Sequence, residues 1–502
     1  MTFDLQHYQH KRGIERESLR ILHSGRPATS DHPLALGSKL TNSNITVDFS
    51  EGLVELITEP FYDISSTFSR LTHILGFCSQ NLAKDELLLA TSMPLTATED
   101  EIKVAHFGTS NSGKMKEVYR RGLAQRYGKI MQAISGVHYN FSYDVELINR
   151  LNQEKNLSSD ALYFSAINHY FDFMWLIPYL FGSSPICAKT SVKQTPEYLK
   201  TLNDDFYIAE YATSLRMSGL GYQSPAQKDL YISYASLKDY VYDLINATKT
   251  TYPPFEKIGL YADNGSRQQL STSILQIENE YYSSIRPKQI TKRCERPACA
   301  LLNRGVAYLE VRVVDVNPFD PLGIDETTAH FIEALLLTCL LQPKKQYQQS
   351  EIMRNKANFA KVVTHGRKPR LQLKDNQGKD ISLKDFGVLQ LELIAHTAQS
   401  MGDKYFQAVM QQFEKLTDPG KTLSAQLIDH AGKDYAQTVL ELSRENTQGL
   451  QKVELSKDSY TGFSHQTAQS LVTQQALEES DCCDLESYID HYYLSANCSN
   501  QK

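Results

Sequence analysis

Alternation with a period of two marks five short segments in the first two thirds of the chain. In "GIERESLRIL" (13–22) it puts Glu15 and Glu17 on one strand face. In "SGVHYNFS" (135–142), Val137, Tyr139 and Phe141 face one way, and His138, Asn140 and Ser142 face the other. In "YLEVRVVDV" (308–316), Glu310 and Arg312 lie opposite Leu309, Val311 and Val313. "QIENEYY" (276–282) lines up Glu278, Glu280 and Tyr282 in the same way. The fifth segment, "ITVDFSEGLVELITEP" (45–60), sets Asp48 just before a turn at Ser50-Glu51-Gly52 and Glu55 between Val54 and Leu56. From "DETTAHFIEALLLTCLL" (325–341) onward the spacing changes to threes and fours, and it stays helical through "VLQLELIAHTAQSM", "KYFQAVMQQFEKL" and "YAQTVLELSREN". The pattern predicts an α+β chain: an antiparallel sheet with helices behind it, and a mainly helical C-terminal part.

One polar face of an antiparallel sheet usually meets solvent, where Lys, Thr, Gln and mixed charge prevail. These faces carry Glu, Asp, His and Arg instead. Carboxylate and imidazole are the donors that hold divalent cations. An acidic sheet face with one histidine and one arginine suits magnesium ions bridging the phosphates of ATP, with Arg312 stabilising the transferring phosphoryl group.

Composition narrows the field. The chain has 502 residues, 41% of them hydrophobic, with 52 basic against 58 acidic side chains and a formal charge of −6. That balance argues against a general nucleic-acid binder. "MTFDLQHYQHKRG" lacks the apolar core of a secretory leader, and "FMWLIPYLFG" and "FIEALLLTCLL" fall short of the roughly 20 apolar residues that span a bilayer. A cytoplasmic location without membrane contact is the expectation. The eight cysteines show no paired zinc spacing and are expected to be mostly reduced thiols, with Cys482, Cys483 and Cys498 the ones open to oxidation. From about residue 475 the chain is acidic and expected to be loosely held.

A competing signal lies in "HFGTSNSGKMKEVYRRG" (106–122). From Gly108 it spells the opening of a phosphate-binding P-loop, after a possible short strand at "KVAHF". Met115 stands where Ser or Thr would ligate magnesium, and a thioether cannot do so. A turn leading into a basic amphipathic helix is the better reading.

Ten collinear words carry a resemblance: "GIERESLR", "TVDFSEGLVELIT", "FGTSNSGK", "VYRRGLAQRYG", "ISGVHYNFS", "LIPYLFGSSP", "YATSLRMSGLGY", "LQIENEYYSSIRPK", "YLEVRVVDVNPF" and "GIDE". They resemble the proteobacterial type of glutamate–cysteine ligase, or γ-glutamylcysteine synthetase, from about Gly13 to Glu326. The resemblance implies a glutamine-synthetase-like antiparallel sheet with a polar metal-binding face. It places the catalytic core, binding ATP, metal and amino acids, in residues 1–370, and leaves 371–502 as a helical region packed on it. It implies metal ligands at Glu15, Asp48, Glu55, His138 and Glu310, with Glu17 a sixth, and Mg2+ (or Mn2+) as the ion. Arg312 matches a phosphate-facing arginine. Arg120 and Arg216 match basic residues associated with the amino-acid substrates, and Phe49, Tyr222 and Tyr282 match aromatics around the cysteine pocket. The helix after the decoy loop would bring Tyr119 and Arg120 to the substrates.

The implied reaction joins the γ-carboxylate of L-glutamate to the α-amine of L-cysteine through a γ-glutamyl phosphate made with ATP, in the first step of glutathione biosynthesis. Feedback by glutathione is part of the same expectation. Such chemistry needs positioning and charge neutralisation and no covalent nucleophile; the sequence shows no convincing Ser-His-Asp or Cys-His arrangement. Another carboxylate–amine ligase of the same fold, acting on a different amine, is the alternative. A non-catalytic metal-binding scaffold and a P-loop kinase stand behind it.

Overall fold

Five strands of the first 142 residues and two later ones build the central sheet. They are β1 (Lys11–Leu22), β2 (Ile45–Val47), β3 (Leu53–Ile57), β4 (Glu86–Leu88), β5 (Val137–Ser142), β6 (Ile285–Lys288) and β7 (Tyr308–Val314). The computed structural model describes residues 4–221, 225–292, 294–345, 348–494 and 498. The spatial order is β2-β3-β1-β5-β7-β6, every neighbouring pair antiparallel, with β4 paired to the far end of β1.

Alternation decides what each face carries. Ile14, Ile45, Val47, Val54, Leu56, Val137, Tyr139, Phe141, Leu309, Val311 and Val313 are all buried in one apolar cluster on the back of the sheet. Their partners in alternation, Glu15, Glu17, Glu55, His138, Asn140, Glu310 and Arg312, look out from the front. The register sets them beside one another: Glu55 opposite Glu17, Glu15 opposite His138, and Glu310 between Asn140 and Arg286. A bulge between Val311 and Val314 accommodates one extra residue of β7 beside Arg312.

Helices cover the back. Helix α1 (Ile64–Gln80), capped by Asp63, turns Ile64, Phe68, Leu71 and Leu75 inward. Helix Glu326–Leu341 is buried on nearly every side, which explains its uniformly apolar sequence; among the described residues no helix is long and apolar enough to cross a membrane. The helices beyond residue 371 enter the same core through Leu383, Phe386, Leu391 and Ile394, with Phe386 stacked on Trp175.

One ion pair lies inside this apolar layer. Arg12 of β1 meets Glu333 through Nε–Oε1 at 2.7 Å and Nη2–Oε2 at 3.0 Å. The hydroxyls of Tyr139 and Tyr405 donate to the two Glu333 oxygens at 2.6 and 2.8 Å. Burial alone would raise the Glu333 carboxyl, but Arg12 and the two phenols hold it below the ordinary range.

Three expectations are corrected. "QIENEYY" is no strand: Glu278–Glu280 forms a 3-10 turn, because its two carboxylates answer to different buried guanidinium groups, Glu278 to Arg296 at 2.7 Å and Glu280 to Arg126 at 3.1 Å. "KVAHF" contributes only an isolated bridge from Val104 to Ser50. The C-terminal segment is docked: helix Leu485–Leu494 inserts Ile489, fully buried, between Val118 and Leu270.

Removing one member of a buried, hydrogen-bonded ion pair leaves the other uncompensated. Glu333→Gln, which keeps the shape and removes the charge, is therefore expected to destabilise the fold by about 3–5 kcal/mol. Urea unfolding checks this, and a loss below about 1 kcal/mol would show that the pair contributes no more than a surface bridge does.

Candidate active site

The front of the sheet is crowded with like charge. His138 Nδ1 lies 3.0 Å from Glu15 Oε2, and its Nε2 lies 3.5 Å from Glu17 Oε1. Asn140 donates to the other Glu15 oxygen at 2.8 Å. Two groups of donor atoms result, each lying within 4.8 Å of one another and both using His138: Glu15–His138–Glu310 and Glu17–Glu55–His138. Asp48 ends the neighbouring strand, its N–H bonded to Leu53 O at 3.0 Å and its carbonyl accepting from Arg120 Nε.

Burial and mutual repulsion set the proton affinities. Glu55 is pushed well above the ordinary carboxyl range by burial and by the charges of Glu15, Asp48 and Glu17. Glu17 is raised mainly by burial, against the pull of His138. Glu310 goes the other way. Burial opposes its ionisation, but Lys288, Arg312 and Arg286 outweigh it and hold the carboxyl well below the usual range. The distances agree, with Arg312 Nη1 at 3.2 Å, Lys288 Nζ at 3.4 Å and Arg286 Nη1 at 3.8 Å from Glu310.

A divalent cation fits this donor set. His138 Nε2 and Glu310 Oε2 are buried and make no hydrogen bond. The Nδ1 of His138 is shared between Glu15 Oε2 and, at 3.3 Å, Arg312 Nη1, which leaves Nε2, toward Glu17, as the ring nitrogen open to a cation. Carboxylate oxygens with one imidazole are hard donors that suit magnesium or manganese.

Two cavities adjoin this face. One, of about 80 Å³, is lined by Glu17, Asp48, Phe49, Tyr119, Arg120, Tyr282 and Arg312 among others. The second, of about 300 Å³, has walls of Tyr240, Leu244, Pro287, Ile290, Ala298, Leu301 and Tyr308, with Lys288 beside them. Asn279 and Arg286 line both and form the wall that the two spaces share, with Arg286 facing Glu310.

Helix α2 (Asn111–Tyr127) carries Tyr119 and Arg120 to the smaller cavity. Arg120 lies over the ring of Phe107, 4.3 Å from its centroid. Lys114 is exposed in the first turn. The backbone N–H groups that a P-loop would offer to phosphate are already engaged: Thr109 N donates to Glu478 at 2.8 Å, Asn111 N to Asp481 at 2.5 Å and Gly113 N to the Ser110 cap at 3.2 Å. Gly108 has φ +85°, and the side chains of Gln474 and Glu478 leave no room there for a Cβ.

The structure gathers Glu15, Glu17, Asp48, Glu55, His138, Glu310, Arg312, Arg120, Tyr119, Phe49 and Tyr282 around one face. Arg216 sits deeper, 1% exposed, with Nη2 donating to Arg312 O at 3.1 Å and Nη1 3.7 Å from Asp315. Its guanidinium fills the space that a Cβ on Gly136 would need, and Gly136 N donates to Glu17 Oε2 at 2.7 Å. Tyr222 lies outside the described residues. Sequence reasoning missed Arg286, Lys288, Asn279 and Gln132, the last of which also lines the smaller cavity. β6, which carries Arg286 and Lys288 across the edge of β7, is too short at four residues for its alternation to serve as a signal, and the other two sit in irregular segments that give none.

The chain matches the family model described as glutamate-cysteine ligase over residues 5–362. It is 41% identical to the glutamate–cysteine ligase of Pseudomonas putida, covering 96% of this chain and 94% of that protein, and 40% identical to that of Bordetella bronchiseptica over the same shares. A solved glutamate–cysteine ligase from Francisella tularensis, in complex with AMP, superposes with a TM-score of 0.97 at 50% identity, covering 99% of this chain and 100% of that one. A bifunctional glutathione synthetase from Pasteurella multocida superposes at 0.72 with 25% identity, covering 94% of this chain and 57% of that one.

Because the loop's N–H groups are already bonded and Lys114 points to solvent, Lys114→Ala is expected to change turnover and the ATP requirement by less than about threefold, far short of the loss of a P-loop lysine. Met115→Ser is expected to leave ATP use unimproved. Steady-state rates against ATP concentration check both; a collapse in Lys114→Ala would restore the P-loop reading.

Proposed function

The chain belongs to the glutamate–cysteine ligase family, and from that premise we propose how its own residues divide the family's reaction among them. The enzyme is an ATP-dependent ligase that forms γ-glutamylcysteine from L-glutamate and L-cysteine in glutathione synthesis. The observation that carries the division of labour is a gradient across one sheet face. Acid gathers on β3 and β1 beside His138 of β5, while Arg286, Lys288 and Arg312 gather on β6 and β7 around Glu310.

Glu15, His138 and Glu310 on one side, and Glu17, Glu55 and His138 on the other, would hold divalent ions, magnesium or manganese, with Asp48 beside them. Bound there, such ions supply charge neutralisation for phosphate oxygens. Nucleotide binding is supported by the AMP held by the Francisella relative; the 300 Å³ cavity, with its apolar walls, takes the nucleoside and directs the phosphates toward Lys288, Arg286 and Arg312. The 80 Å³ cavity takes the amino acids, with Arg120 for a carboxylate and Phe49, Tyr119 and Tyr282 around the cysteine side chain.

A carboxylate resists attack by an amine because oxide is a poor leaving group. Transfer of a phosphoryl group to the γ-carboxylate gives a γ-glutamyl phosphate whose leaving group is phosphate. Arg286 lines both cavities, and that transfer would occur beside it. Arg312 takes two phosphoryl oxygens as its planar fork allows, and Arg216 keeps it in place by holding its backbone carbonyl. Glutathione contains the γ-glutamylcysteine unit, so the same pocket is a place for it to compete as a feedback inhibitor.

Two tests bear on this reading. Glu310→Gln and Glu55→Gln each keep the shape and remove the charge that holds a cation; both are expected to lower turnover by about 100-fold or more, Glu55→Gln with the melting temperature preserved and Glu310→Gln with a lower one, since it leaves Arg286, Lys288 and Arg312 without their buried counter-charge. Near-normal rates at limiting magnesium would remove these residues from the ion site. Arg312→Lys is expected to lower kcat by about 100-fold while changing the KM for ATP little, since charge develops on the transferring group. If it lowered only the melting temperature, Arg312 would be a sheet residue paired to Glu310.

A further inference from the structure

We propose that a third cavity, on the helix-covered side of the sheet, is a second ligand site that takes a free α-amino acid with an apolar side chain. It shares no lining residue with either cavity of the acidic face. What singles it out is a wall that offers one positive and one negative group, each without an answer inside the protein.

The cavity has a volume of about 330 Å³, at the lower end of the roughly 300–1,000 Å³ of small-ligand sites. It lies where three helices begin. Asp63 comes from the start of α1, Glu326 and His330 from helix Glu326–Leu341, and Lys404 and Tyr405 from helix Asp403–Met410. Residues between Leu5 and Arg12 supply the remaining wall.

Most of its charges are already committed. Arg12 pairs with Glu333 at 2.7 Å, and Asp63 caps α1 by accepting from Ser66 N at 2.7 Å. Lys404 and Glu326 are different. Among the described residues neither forms an ion pair, with the other or with any third side chain.

The two imidazoles of the wall repeat this division. Asp144 N donates to His10 Nδ1 at 3.0 Å, so the proton of the neutral ring sits on Nε2, which is buried and has no partner. Burial brings His10 down to about 4, so the ring is neutral at neutral pH. His330 is the reverse case. Its Nδ1 lies 2.5 Å from the carbonyl of Glu326, which can only accept, so in the neutral ring Nδ1 carries the proton and Nε2 keeps its lone pair. Tyr405 packs edge-on against that ring, with centroids 4.7 Å apart. His10 is thus a donor and His330 an acceptor.

A cation with a donor, and an anion with an acceptor, are the complement of a zwitterion. The ligand's carboxylate answers Lys404 and the His10 Nε2–H, and its ammonium answers Glu326 and the His330 lone pair. Leu5, Ile64 and Met401, with the ring of Tyr8, make the rest of the wall apolar and receive the ligand's side chain. A plain carboxylate or phosphate would leave Glu326 unanswered, and a plain amine would leave Lys404 so.

Calorimetric titration of the full chain with L-leucine tests this, beside isocaproate and isoamylamine, which are leucine without its ammonium and without its carboxylate. Leucine is expected to bind one site with a Kd below about 10 mM. Each analogue is expected to bind at least about tenfold more weakly, the worth of a lost charge-assisted contact. This comparison uses the unaltered chain, so it stands whether or not a variant folds. Lys404→Met and Glu326→Gln should each weaken leucine about tenfold, with the melting temperature of the unliganded chain kept within about 2 °C. Arg120→Ala, which alters the pocket on the acidic face, should leave the Kd for leucine within about twofold. The site is overturned if leucine does not bind, if either analogue binds as tightly, if Lys404→Met and Glu326→Gln bind leucine as the unaltered chain does, or if Arg120→Ala abolishes binding.

Discussion

The crowding of Glu15, Glu17, Asp48, Glu55 and Glu310 on one face of a sheet is the constraint on which the rest of the structure depends. Like charges a few ångströms apart repel, and burial removes the water that would screen them. The structure answers in two ways. At the β6–β7 edge three cations surround Glu310 and keep it ionised. Toward β3 Arg120 and Lys116 approach without outweighing burial and the neighbouring acids, and Glu55 is driven toward its neutral form. The face is thus polarised, and a cation brought to its acid-rich side would relieve repulsion that the protein leaves in place. Strain of this kind is characteristic of sites built to bind a charged partner.

Holding such a face requires a stiff support, and the back of the sheet supplies it. Alternation gives every front-face acid an apolar neighbour in sequence that is packed behind it, as Glu310 lies between Leu309 and Val311. Tyr139 follows His138 in sequence and reaches through the core to Glu333, which Arg12 and Tyr405 also hold. The position of the shared imidazole is therefore tied to a buried ion pair on the opposite side of the same strand.

Much of this was legible in the sequence because alternation is a local property. One glance at "VHYNF" or "LEVRVV" tells which residues share a face, and the faces were assigned correctly in β1, β3, β5 and β7. Where conformation is set by a distant partner the same rule failed. Glu278 and Glu280 alternate like strand residues, yet Arg296 and Arg126 draw them apart into a turn. The tail read as acidic and loose because its fastenings, Ile489 against Val118 and Cys498 against Cys299, join residues hundreds of positions apart. Most of the thiols are free, as expected, and Cys498 is among those expected to oxidise; its partner Cys299 escaped notice for the same reason. Arg286 and Lys288 escaped notice because β6 is only four residues long, too short for a pattern to stand out.

The decoy loop and the docked tail are one problem seen from its two ends. A glycine-rich turn that opens a helix leaves N–H groups bare, and bare N–H groups attract an anion. In a P-loop the anion is phosphate. Here Glu478 and Asp481 take that place, and the local chemistry that imitates a nucleotide site becomes an anchor for the C-terminal segment. The acidity of the tail, which read as a mark of looseness, is what lets it dock. Helix α2 is thereby held at its start by carboxylates and along its length by Ile489 against Val118, with Tyr119 and Arg120 on the turn between that contact and the pocket. A mobile α2 would let both side chains wander relative to a sheet that cannot move. Fastening the helix from outside supplies the fixed geometry that a reaction run by positioning alone requires.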